Sequence, residues 1–162
     1  MRKNLTLSLA AVLAMLGTAA YGATATSNFQ VRMTIQAQCL AAVASDLDFG
    51  TSGVLTANVD ATSTLQVQCT NTTPYNIGFD AGTGSGSTVT TRKMTSGTAT
   101  INYSLYSNAG RTTNWGNTVG TDTVAATGTG ASVSHTVYGR VPAQTTPAPA
   151  AYTDTITVTV TY

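Results

Sequence analysis

An antiparallel β-sandwich is the fold class this sequence predicts, and three observations predict it. Short segments alternate apolar and polar residues with period two. Turn chemistry (Gly, Pro, Asn) recurs between them about every ten residues. Past the first 25 positions, no stretch longer than a single turn places its apolar residues at helical spacing.

The chain opens on a different pattern. Met1-Arg2-Lys3-Asn4 is basic, Leu5 to Leu16 is apolar apart from Thr6 and Ser8, and Gly17 to Ala23 is made mostly of small residues. That order is the signature of a secretory signal, and the apolar run is too short to span a bilayer comfortably. Residues 1–22 are therefore expected to be an export leader, with cleavage as late as position 25.

Behind the leader stands Phe29-Gln-Val-Arg-Met-Thr-Ile-Gln-Ala-Gln-Cys39. Phe29, Val31, Met33, Ile35 and Ala37 share one face, and Gln30, Arg32, Thr34, Gln36 and Gln38 share the other. A strand with one apolar face near the start of an exported protein needs a groove, in its own domain or in a neighbour's.

Further along, Asp46-Leu-Asp-Phe-Gly50 alternates briefly, and Gly53 marks a turn before Val54 to Val59. Leu65-Gln-Val-Gln-Cys69 alternates cleanly, which places Cys69 on the core side with Leu65 and Val67. Asn71-Thr-Thr-Pro74 is a turn cluster, Tyr75 to Ala81 alternates again, and Gly82-Thr-Gly-Ser-Gly-Ser87 reads as a loop. Thr88–Met94 and Ala99–Tyr106 read as strands, the second grouping Ile101, Tyr103 and Leu105. A polar region, 107–131, contains Trp115-Gly116. Val133, Val137 and Val141 mark another strand, with Tyr138 on its opposite face. Pro142, Pro147 and Pro149 forbid regular pairing in the next loop. From Tyr152 to Tyr162 the chain alternates once more, with Ile156, Val158, Val160 and Tyr162 on one face and threonines on the other.

Charge narrows the function classes. Without Arg2 and Lys3, five basic residues remain (Arg32, Arg92, Lys93, Arg111, Arg140) against six Asp and no Glu, so the exported chain is near neutral. No basic stripe is present to follow a phosphate backbone, which argues against nucleic acid. An uncharged polar surface suits a protein that touches copies of itself. The cysteines, Cys39 and Cys69, are most simply one disulfide in an exported chain.

Catalysis finds no support, and neither a cofactor nor a metal is expected. Asp48-Phe49-Gly50 lacks every other kinase element. The Gly82–Ser87 run lacks the lysine and helix of a phosphate cradle. Asp46 and Asp48 sit in no regular acidic loop of the calcium type. His135 lies between Val133 and Val137 as an ordinary strand residue, with no Gly-x-Ser-x-Gly elbow to serve. No Asp pair stands out as a glycosidase couple. Asn71-Thr-Thr73 and Asn102-Tyr-Ser104 match a glycosylation sequon short enough to arise by chance.

From pattern alone, two readings of the end strands stay open. Either both close their own sandwich, or the domain lacks a strand and the Phe29–Ala37 segment fills that gap in the next copy by β-augmentation.

Several residue groups, taken in order, resemble the spore coat protein U family, whose members include major pilins of archaic, Csu-type chaperone–usher pili. They are the alternating start leading to Cys39, Leu47-Asp-Phe-Gly50, Cys69 ending an alternating strand, Arg92-Lys-Met94, Tyr103-Ser-Leu-Tyr106, Trp115-Gly116, Val137-Tyr-Gly-Arg-Val-Pro142, and the ending from Tyr152-Thr-Asp154 to Tyr162. The chain departs from the pattern at Ala151, where Gly is expected, and at Asn108, where Asp is common. The resemblance implies an incomplete immunoglobulin-like sandwich completed by a donor strand. It implies residues 23–38 as the donor segment, with Phe29, Val31, Met33, Ile35 and Ala37 as its plugs. Residues 39–162 would be the pilin-like domain, with Ile156, Val158, Val160 and Tyr162 along the acceptor edge. The implied partners are identical or homologous pilin subunits, a periplasmic chaperone and an outer-membrane usher.

The expectation is thus a non-enzymatic shaft subunit of a surface fibre, serving adhesion or biofilm formation. Two alternatives stand beside it. One is a secreted, self-complemented sandwich that binds a ligand such as a carbohydrate, with Trp115 as a candidate contact. The other is a coat component that polymerises without an usher.

Overall fold

The computed structural model describes residues 22–42 and 45–162, so the expected leader lies outside the described residues except for Gly22. Eight strands follow in chain order: β1 (Cys39–Ala42), β2 (Val59–Cys69), β3 (Pro74–Phe79), β4 (Arg92–Ser96), β5 (Ala99–Tyr106), β6 (Val124–Thr127), β7 (Ser132–Val141) and β8 (Val158–Thr161). They form a five-stranded sheet, ordered β1-β2-β7-β5-β4, and a three-stranded sheet, ordered β6-β3-β8. Every named strand pair is antiparallel. The fold is an antiparallel β-sandwich, as the alternation predicts, and immunoglobulin-like, as the resemblance implies.

Period-two burial builds the core. Along β2, Ser63, Leu65, Val67 and Cys69 are buried while the residues between them are exposed. On β7 the partners of this inner row are Val137, His135 and Val133, with Gly139 and Val141 further along. Tyr75, Ile77 and Phe79 of β3 face them from the other sheet, with Ile77 paired to both Val124 and Val160. The tight β4–β5 hairpin pairs Ser96 with Ala99, leaving two residues for the turn; Gly97 takes φ +59°, a left-handed value that suits glycine.

Three strands differ from expectation. β4 starts at Arg92 and not at Thr88, because Thr88 and Thr91 close a local turn, with the Thr91 amide also bonded to the Thr88 hydroxyl. β2 starts at Val59, so Val54 to Asn58 lie outside it. Only Val158–Thr161 of the last segment pairs as a strand, with Thr153 bridged separately to Thr95 of β4.

The chain divides into two units between Thr34 and Ile35. In the first, residues 22–34 carry no strand and no helix.

Candidate functional site

Two segments, the second running into the start of β8, flank an apolar cleft of about 1420 Å3 that opens between the sheets. One wall is residues 45–55. The Ser45 amide ties it to the Thr64 carbonyl of β2, and Leu55 is tied at the far end to residues 144 and 146. The other wall is the run from Tyr152 through Val158. No hydrogen bond among the described residues joins the two walls. The floor consists of Leu65, Tyr103, Leu105, Val137 and Val141, with Phe79, Met94 and Ile101 beside them.

Each wall has a sequence reason. In Asp46-Leu-Asp-Phe-Gly50, Leu47 and Phe49 turn inward and the aspartates outward, as alternation predicts. Gly139 makes room for both: a Cβ there would lie 2.8 Å from one Leu47 methyl carbon. Phe49 meets Tyr103 edge-on, with ring centroids 6.1 Å apart. On the opposite wall, Ile156 and Val158 face inward. Asp154 is fixed there, accepting from Tyr103 Oη at 2.8 Å and from the Thr83 amide and hydroxyl. Burial and the Asp154 carboxylate together push the Tyr103 phenol far above its ordinary pKa, so it serves as a permanent donor.

Both walls carry unpaired main chain. Between Asp46 and Gly53 the one amide with a partner among the described residues is that of Gly50, bonded to Asp48 Oδ1. β8 pairs with β3 along one edge, and among the described residues no strand is paired to its other edge. Unpaired edges over an apolar floor are a template for an added strand.

Ile156 and Val158 line this cleft, whereas Val160 packs into the core opposite Ile77 and Tyr162 is 60 % exposed. Phe29, Val31, Met33 and Ile35 are each at least 70 % exposed, Ala37 is exposed too, and residues 22–38 carry no strand. A strand is defined by its partner, and this apolar face has none among the described residues. Cys39 and Cys69 are disulfide-bonded directly across the β1–β2 pair. Gln38 and Thr70 are bonded just beyond them, through both the main chain and the Thr70 hydroxyl.

Trp115 cannot serve as a surface ligand contact. It is 1 % exposed, packs on Phe79, and donates its indole N–H to the Ile77 carbonyl. His135 faces the core on β7 with Nε2 3.0 Å from Tyr75 Oη. No group of metal-ligating side chains occurs among the described residues.

The residue that sequence reasoning missed is Arg92. It is fully buried and donates to the carbonyls of Phe79, Asp80, Val89 and Trp115. Burial lowers its pKa while Tyr103 and Asp80 oppose that shift. The available signal was its place two residues before the inward Met94.

The family model for the spore coat protein U domain matches residues 25–159. The chain belongs to the spore coat protein U family. Among family relatives, Protein U of Myxococcus xanthus is 32 % identical over 158 residues, covering 88 % of each chain. Among solved structures, the sandwich resembles a chain of the CsuC–CsuE chaperone–tip adhesion subunit pre-assembly complex from archaic chaperone–usher Csu pili of Acinetobacter baumannii. The TM-score is 0.58 at 24 % identity, over 80 % of this spore coat protein U chain and 40 % of that one. The likeness is one of fold.

Proposed function

We propose that this protein is a structural subunit of a surface fibre, not an enzyme, and that it polymerises by donor-strand exchange. Residues 1–22 direct export, residues 23–38 are the donor, and residues 39–162 form the acceptor domain. A periplasmic chaperone holds the subunit and an outer-membrane usher receives it. The donor of one copy then enters the cleft of the next, and the fibre serves adhesion or biofilm formation.

One observation carries this reading: a deep apolar cleft with unpaired backbone on both walls, in a chain whose Phe29–Ala37 segment exposes a matching apolar row. At a rise of roughly 3.3 Å per residue, that row is about 26 Å long. Burying four or five such side chains contributes about 10 kcal/mol before ordering costs, enough for a durable contact.

The test is deletion of residues 26–37, with Ile35→Asp as a milder variant. Both should leave a chaperone-bound periplasmic subunit unable to form SDS-resistant ladders. A free, folded monomer that never polymerises with the segment intact would refute the reading. Membership of the spore coat protein U family favours one alternative, a coat component that polymerises without an usher. Chaperone and usher genes beside this one would speak against it.

A further inference from the structure

A row of apolar plugs does not by itself say where the donor stops. Phe29, Val31, Met33, Ile35 and Ala37 recur every second residue. A slip of two residues, about 6.7 Å, therefore still turns apolar side chains inward. A marker on the polar face must break that degeneracy.

The donor segment carries one charged side chain, Arg32. Arg32 is exposed, and its side chain bonds to Gln30 on the same face. The charged residues lining the cleft are Asp46, Asp48 and Asp154, with no Lys or Arg among them. Asp154 is already held by Tyr103 and Thr83. Asp60, elsewhere on the domain, is matched by Arg140 and Arg111. Asp46 and Asp48 form no ion pair among the described residues and stand exposed on the outer side of their wall, alternating with the inward Leu47 and Phe49.

We propose that the cleft takes the donor segment of a second copy in one register, set by Arg32 of that copy lying against Asp46 and Asp48. The inference rests on the donor-strand reading above. Laid along the wall with its odd-numbered residues inward, the donor turns its even-numbered residues to the surface that Asp46 and Asp48 occupy. Opposite charges on neighbouring strands attract, and a slipped register leaves Arg32 without its partners. The same complementarity, a cationic strand entering an acid-rimmed groove, speeds encounter in a salt-dependent way.

Full-length chains carrying Arg32→Asp, the pair Asp46→Lys and Asp48→Lys, or all three changes would be assembled at low and at high salt. Either reversal alone should slow ladder formation roughly two- to fivefold at low salt, as expected for an exposed pair. The three together should restore the rate, and high salt should erase the differences. Register is read separately: in Arg32→Lys fibres, a water-soluble carbodiimide should form an amide between position 32 of one copy and Asp46 or Asp48 of the next, identified by mass spectrometry. Unchanged rates, no rescue by the triple change, or fibres that form without that cross-link would overturn the proposal. Ile35→Asp keeps the two readings apart. If it abolishes ladders while Arg32→Asp has no effect, only the register assignment falls; if ladders survive Ile35→Asp, the donor-strand reading falls.

Discussion

Gly139 lies directly beneath Phe49: a Cβ at that position would come within 2.9 Å of the ring's Cζ and equally close to a Leu47 methyl. The floor of the cleft is therefore shaped by a missing side chain, and one wall of the proposed acceptor site rests on it. Gly139→Val should force Leu47 and Phe49 outward. Overpacking of this kind costs about 1–3 kcal/mol. The expected outcome is a lower urea midpoint for the purified protein and fewer ladders, while Gly53→Ala, where an added Cβ meets nothing within 4 Å, changes neither.

Arg92 supports a different prediction. Its guanidinium joins the carbonyls of Phe79 and Asp80, at the end of β3, to those of Val89 and Trp115. Arg92→Met keeps much of the volume but strands buried acceptors, at about 1–3 kcal/mol each where water cannot reach. Arg92→Lys should fail nearly as badly, since an ammonium lacks the planar fork that spans these oxygens. Periplasmic yield and thermal midpoint should fall for both variants. Lys93→Met, whose side chain reaches only the Ser85 carbonyl at the surface, should behave as wild type.

What was legible in the sequence follows from period two. Leu65, Val67 and Cys69, or Ile101, Tyr103 and Leu105, declare a face without any knowledge of partners, and the structure puts each set inside or on the cleft floor. Alternation cannot say which edge is left open, because that depends on strand order. Hence the brief alternation of Asp46 to Gly50 gives Leu47 and Phe49 a shared face without saying that they wall a cleft. The resemblance implies Tyr162 along the acceptor edge; in the structure pairing ends at Thr161 and Tyr162 is exposed. Trp115 gave no periodic signal at all. It lies in an irregular connection, and its burial comes from packing on Phe79 across a long sequence distance.

The disulfide has a local consequence for the cleft. Cys39 and Cys69 are 30 residues apart, and the loop they close contains the whole wall from Ser45 to Leu55. In the chain-entropy model such a closure contributes about 3–4 kcal/mol by restricting the unfolded chain. Replacing both cysteines with Ala should lower the thermal midpoint accordingly. It should also reduce the amount of protein recovered in a periplasmic extract, measured against wild type.

His135 predicts a pH dependence whose sign can be worked out. Burial lowers its pKa below the ordinary 6.5, so the folded protein holds the imidazole neutral beside Tyr75 more firmly than the unfolded chain does. Below about pH 6.5 the unfolded chain takes up a proton that the folded one resists. Stability from this group is therefore complete above that pH, and it is lost as pH falls through the depressed folded value. Asp60 is held low mainly by its bond to Arg140. For Asp80, burial pulls upward but bonds from Thr157 and Gly82 prevail. Both carboxylates add acid sensitivity only below their ordinary 3.8. Thermal midpoints between pH 7.5 and 4.5 should thus decline for wild type and stay nearly flat for His135→Gln, which cannot take up the proton. An equal decline in both proteins would remove His135 as the source of the acid sensitivity.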